Sequence, residues 1–239
     1  MVDEVMRQIR IFEELIKARL EVDVAGLVAG ARARLESRLS LQPIPVDNDL
    51  ADRVGPLGWG RVRTFAWEAP GFRKVVLTHV AMRPMIDGFA LSALPSPKLA
   101  APVFACDLMA LPTRVSVNVD VYGAPELGAS AKRAVLEPLG ESFVRLGTGA
   151  GPAWAADLAS GVGLHARVSP RAVDDAFGAL TGALARYLEV AQTAQEGPGG
   201  PETQRAFFQA FHDHGPRKGA LGRVMGAAWA ERYSRLIFE

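Results

Sequence analysis

Residues 72–123 read FRKVVLTHVAMRPMIDGFALSALPSPKLAAPVFACDLMALPTRVSVNVDVYG, and the fold turns on this run. It divides into strand-like segments at 72–82, 86–94, 103–110 and 114–122. The last is the clearest. Val115, Val117, Val119 and Val121 alternate with Ser116, Asn118, Asp120 and Tyr122, a period of two that gives a strand one dry face and one polar face. Arg83 and Pro84 mark a short turn, and 95–102 is a Pro-punctuated loop. Such short links predict antiparallel neighbours, because parallel strands need a long crossover. One carboxylate, Asp107, stands inside the apolar run Phe104, Ala105, Cys106, Leu108 and Met109. A carboxylate there is either held by structural hydrogen bonds or functional.

The rest of the chain sets bounds on that core. With 239 residues there is enough chain for one domain with a full interior. Hydrophobic residues make up 49% and charged residues 22%, the balance of a soluble globular protein. A net charge of +1 provides no global field that would draw the chain to nucleic acid or to a membrane. No apolar run has the length of a membrane span, and the acidic start lacks a signal-peptide core, so the expected compartment is the cytoplasm. The single cysteine, Cys106, excludes an internal disulfide, a thiolate zinc site and a cluster held by this chain alone; it reads as a small buried apolar residue.

From the N-terminus, residues 2–40 carry a helical stripe, with Gly26 and Gly30 as expected breaks. Residues 41–48 contain Pro43 and Pro45 and read as extended, and a loop then leads to a first strand at 61–67. After Gly123 the pattern changes to a helix at 127–139. The glycine-rich 147–152 lacks the spacing and the lysine of a phosphate cradle and reads as a connection. A Gly-spaced strand is expected at 162–168. A helix follows, with Ser169 as N-cap, Pro170 at its first position and Asp174 and Asp175 in its first turns. Residues 196–201, EGPGGP, read as a linker. A helix at 203–211, a polar turn at 212–218 and one closing helix at 221–238 complete the chain. His212 and His214 flank Asp213 in that turn, which reads as solvated or hydrogen-bonded rather than as a metal site.

Taken together, several of these stretches resemble one family. Pro70, Phe72, Arg73 and Lys74, then Pro95 and Pro97, then Pro102 to Leu108 around Asp107, then Val115 and Ser116, are similar to the central block of ferredoxin-dependent bilin reductases. Met225, Gly226, Trp229, Glu231, Arg232, Tyr233, Ile237 and Phe238 resemble that family's closing helix, and Pro152, Trp154 and the strand ending at Arg167 are similar in order and spacing. The resemblance covers most of 70–239. It implies a three-layer α/β/α sandwich: a central, largely antiparallel sheet (about 61–168) between helices 1–40 and 170–239, in a single domain. It implies a linear tetrapyrrole held between the sheet and the C-terminal helices, with no permanently bound cofactor or metal. Electrons would come singly from ferredoxin and protons from side chains.

The site residues implied by the resemblance are then specific. Asp107 is the main proton donor, with a pKa raised by its apolar strand. A second aspartate is expected in the C-terminal turn; the position itself is Gly215, and Asp213 lies two residues away. Ser116 matches a contact to a propionate of the substrate, and Arg145 lies near the family's propionate arginine. Thr78 and Ala90 stand where other members carry a Glu and a His or Asn. His79, beside Thr78, should point to the opposite sheet face. Asn118 and His214 complete the expected substrate-binding set. Arg217, Lys218, Arg223, Arg232 and Arg235 are candidates for a basic rim that meets an acidic ferredoxin. The departures at Thr78 and Ala90 leave two alternatives: a bilin-binding protein without catalysis, or a reductase of another linear tetrapyrrole, as in the related red chlorophyll catabolite reductases.

Overall fold

The computed structural model describes residues 22–55, 58, 60–82, 85–123, 129–147, 149, 159, 163–197, 200–214 and 219–238. Its centre is an 8-stranded sheet. The strands are β1 (Gln42–Pro43), β2 (Asp52–Val54), β3 (Arg61–Ala69), β4 (Phe72–Met82), β5 (Ile86–Pro95), β6 (Val103–Leu111), β7 (Arg114–Tyr122) and β8 (Leu164–Val168). The order is β1-β3-β4-β5-β6-β7-β8, with β2 also paired to β3. Every one of these pairings is antiparallel. The meander from β3 to β7 arises from the alternation and the short turns of the sequence. β1 and β2 add a short double rim to β3 in a stretch read as extended chain and loop.

The two sheet faces differ in chemistry. On the first, Leu77, Phe89, Leu91, Phe104, Cys106, Leu108 and the four valines of β7 are buried against α1 (Val24–Arg38) and α5 (Val173–Thr193). Burying side chains of this size contributes on the order of 1.5–3 kcal/mol each. The second face is apolar only in part. Val62, Ala66, Val76, Val80, Leu94 and Val103 pack there with Phe207, Met225, Trp229, Tyr233 and Ile237 of α6 (Gly200–His214), α7 (Ala220–Met225) and α8 (Ala227–Phe238). Helices therefore cover both faces, as the sandwich requires. Two short helices, α3 (Ala129–Leu136) and α4 (Gly140–Leu146), join the first layer through Val135, Leu136 and Phe143. A further single turn, α2 (Asn48–Ala51), lies under α8.

Several elements differ from the sequence reading. Gly26 and Gly30 do not break α1. The Gly26 N–H is capped by the Asp23 carboxylate at 3.0 Å, and Gly30 leaves room for Phe177, whose ring would stand 3.3 Å from an added Cβ. Ser169 makes no side-chain cap; a 3-10 turn over Pro170–Ala172 precedes α5 instead. The closing helix is two helices, because Gly226 takes φ 95°, a left-handed conformation that side chains other than glycine's resist. The polar turn at 212–218 is in part helical: α6 runs on to His214, so Asp213 and His214 occupy its last turn. The linker after α5 is tied down, with the Gly197 N–H donating to the Lys98 carbonyl at 3.0 Å. The first part of the N-terminal helix, the turn at Arg83 and Pro84, most of the 147–152 loop, Pro152, Trp154, the start of the 162–168 strand, Gly215, Arg217 and Lys218 lie outside the described residues.

Candidate active site

Strand register places the site. Thr78 pairs with Ala90, Ala90 with Asp107, Asp107 with Asn118, and Asn118 with His165. These residues form one transverse row across β4 to β8 on the second sheet face. Directly opposed residues bring their Cβ atoms to about 4.5–5.5 Å, so each can touch its neighbours. Ala90, Asp107, Met109, Ser116 and Asn118 are all partly accessible here, while the flanking Leu91, Cys106, Leu108, Val117 and Val119 are buried on the other face. Among the described residues, this middle part of the face is where the apolar cover of the C-terminal helices gives out.

Asp107 is the acid of the row. The Asn118 Nδ2 donates to its Oδ1 at 2.9 Å. Burial pushes the carboxyl up to about 6, against the smaller opposing pull of the Asn118 hydrogen bond and of His165. A carboxyl tuned to this value is half protonated near pH 6 and keeps about a tenth of its population neutral at pH 7, far more than an ordinary aspartate, so it can act as a general acid. Beside it, burial raises the Cys106 thiol well above its ordinary range, with the Asp107 charge adding to the effect, so Cys106 remains a protonated apolar group.

The other end of the row is closed by α8. The Tyr233 hydroxyl donates to Thr78 Oγ1 at 2.8 Å, and burial lifts the Tyr233 phenol to about 12. Trp229 stacks on Tyr233 with ring centroids 5.1 Å apart, and its indole Nε1 donates to the Asp49 carbonyl at 2.9 Å. The Lys74 Nζ donates to the Leu236 carbonyl at 2.9 Å, which pins the end of α8 to β4. Tyr233→Phe is expected to cost about 1–2 kcal/mol, Thr78→Val a similar amount, and the double variant much less than their sum, since both remove one buried bond. Urea unfolding of the three variants measures this; additive losses would mean that the bond is not the shared element.

The remaining expected residues are dispersed. Ser116 is on the same face as Asp107, one row along, opposite Met109 and Arg167. Arg145 is exposed on α4, where its Nη2 donates to Ser142 at 3.1 Å, and the neighbouring Phe143 belongs to the first-face core. Asp213 accepts from Gln209 at 2.9 Å and faces His212 at 3.4 Å, while His212 reaches Glu231 of α8 at 3.2 Å. His214 is exposed at the end of α6. His79 points away from the row, as alternation predicts, and meets Asp87 at 2.9 Å and Arg63 at 3.1 Å. Among the described residues, no group of three or more His, Cys, Asp or Glu could hold a metal ion.

Sequence reasoning missed two groups at the site. His165 completes the row, and Arg167 is an exposed cation on the same strand face, beside Ser116. The sequence signals were the alternation of 164–168 and, for Arg167, its place at the end of a strand similar to the family's.

The sequence matches the family described as "Ferredoxin-dependent bilin reductase" over residues 28–239. The chain belongs to that family. Ferredoxin-dependent bilin reductases are oxidoreductases. The fold agrees: the crystal structure of selenomethionine phytochromobilin synthase from tomato in complex with biliverdin superposes with a TM-score of 0.76. That match has 14% sequence identity and covers 90% of this chain and 83% of the tomato chain. No curated protein matches the sequence. Among the described residues of this bilin reductase, no helix is long and apolar enough to cross a membrane.

Proposed function

We propose that this protein reduces a linear tetrapyrrole, biliverdin or a close relative, with electrons delivered singly by ferredoxin and with Asp107 as proton donor. The observation that carries this reading is the transverse row, in which a carboxyl raised to about 6 lies on an accessible sheet face opposite a small residue, Ala90. Saturating one double bond of a bilin consumes two electrons and two protons. Each electron leaves a species more basic than the one before, and a neutral Asp107 supplies a proton to it. The carboxylate left behind keeps the Asn118 N–H, a bond that strengthens as the charge forms. Ser116, with Arg167 opposite it, is suited to a propionate carboxylate of the substrate. Arg145 and His214 stay candidates for the outer parts of such a ligand, and Asp213 for a second acid.

A second reading, bilin binding without chemistry, is favoured by a specific feature. Ala90 carries no ionisable group, and the Thr78 hydroxyl is already engaged by Tyr233. The row thus holds fewer acids than the family resemblance implies. An anaerobic assay separates the two readings: purified protein, biliverdin, ferredoxin and a ferredoxin-reducing system, followed by absorbance. A blue shift that grows with time and depends on ferredoxin is expected. An immediate, fixed change of the biliverdin spectrum would establish binding alone and overturn the catalytic reading.

A further inference from the structure

Behind Asp107 runs a chain of polar groups that the reduction scheme above leaves unused. The Asn118 Oδ1 faces His165 Nδ1 at 3.3 Å, His165 Nε2 faces Asp120 Oδ2 at 3.3 Å, and the Val121 N–H donates to Asp120 Oδ1 at 2.8 Å. His165 is 8% exposed and Asp120 1%. Gly163 makes this possible, since a Cβ there would stand 2.6 Å from the Asp120 carboxylate.

The chain has a direction. Asn118 donates through Nδ2 to Asp107, so its Oδ1 is an acceptor. His165 Nδ1 must then carry a hydrogen. Its Nε2 meets an Asp120 carboxylate oxygen at 3.3 Å, so both ring nitrogens are engaged. Without His165 the Asn118 amide could turn over and present its oxygen to Asp107. With it, Asp107 Oδ1 always receives an N–H, so the transferable proton of Asp107 is confined to Oδ2.

We propose that His165, clamped by Asp120, is a positioning residue that acts through Asn118 to fix which oxygen of Asp107 carries the proton given to the bilin. This rests on the reading of Asp107 as the donor. A second consequence is electrostatic: His165 favours the charged form of Asp107 and so opposes the effect of burial. Among the described residues, the other titratable groups around Asp107 are Cys106 on β6, Tyr122 and Asp120 on β7, Arg167 on β8 one row along, and Tyr233, which reaches Thr78 from α8.

The test is the titration of Asp107 in ligand-free protein, read as the difference between the carboxyl infrared or carbon-13 spectra of the protein and its Asp107→Asn variant. In His165→Phe the midpoint is expected to move up by about one unit from its value near 6. His165→Asn retains a donor toward Asn118 without the imidazole. It is expected to raise the midpoint similarly while keeping more of the reductase rate than His165→Phe, and it serves if the Phe variant fails to fold. An unmoved midpoint in a folded variant, or equal rates in the two variants, would overturn the clamp. The titration needs no bilin, so the expected shift in a protein that left biliverdin unreduced would count against the functional reading and leave the clamp standing.

Discussion

Asp107→Asn is expected to lower the ferredoxin-dependent reduction of biliverdin by about 10²–10⁴-fold, the ordinary contribution of a general acid, while leaving biliverdin binding within a few-fold. The substitution is nearly isosteric and its side-chain oxygen can still accept from Asn118, as Asp107 Oδ1 does at 2.9 Å. Loss of the rate therefore reports the proton and not the fold. A variant that retained most of the activity would remove Asp107 from the chemistry. In the unmodified protein the rate should hold below the Asp107 midpoint of about 6 and fall toward tenfold per unit above it, since only the neutral carboxyl donates.

The same substitution has the opposite effect on stability. The folded pKa of Asp107 is raised from 3.8 to about 6, so its neutral form is the one the fold favours. Stability from this group is fully present below about 3.8, is lost as pH rises through about 6, and stays lost above it. A shift of about two units corresponds to about 3 kcal/mol, and partial access to solvent trims it to about 1–2 kcal/mol. Asp107→Asn should accordingly be more stable than the parent at pH 8 and equal to it near pH 3.5. Such a variant, inactive but more stable, is what a carboxyl kept for chemistry predicts. A variant destabilised at pH 8 would instead mark Asp107 as a structural hydrogen-bond centre.

How much of this was legible in the sequence depends on how local each signal is. β7 could be read because its valines repeat every second residue and its partners are close in the chain. Asp107 could be read because a single carboxylate interrupts an apolar run. His165 could not, because it enters the row through pairing with a strand more than forty residues earlier, a long-range contact with no short-range trace. The end of α6 was misplaced because His212, Asp213 and His214 have loop-like composition, yet Asp213 continues the helix and accepts from Gln209 one turn before it. Gly226 was visible as a glycine, but apolar periodicity on both sides of it concealed the break. Arg145 fell close to the expected position in sequence, but it lies on a helix whose Phe143 packs into the first-face core.

Tyr187→Ala is expected to produce the largest loss of stability of any single change considered, about 3–5 kcal/mol, a large part of the roughly 5–15 kcal/mol that holds a domain folded. The residue is fully buried in α5. Its ring stacks on Phe104 at 5.0 Å and leans on Phe72 at 6.0 Å, and its hydroxyl donates to the Pro102 carbonyl at 2.9 Å and approaches the Ala93 carbonyl at 3.2 Å. Those two carbonyls flank the 95–102 loop, so one side chain ties the end of β5 to the entry of β6, the strand that carries Asp107. Tyr187→Phe separates the two contributions. It keeps the ring contacts and strands the carbonyls, for an expected cost of about 1–3 kcal/mol. Urea midpoints for both variants measure the ring and the hydroxyl contributions by difference. The reductase rate of Tyr187→Phe, at a temperature where it is fully folded, tests the tie to function: a normal midpoint with a normal rate would show that the strand holding Asp107 is positioned without it.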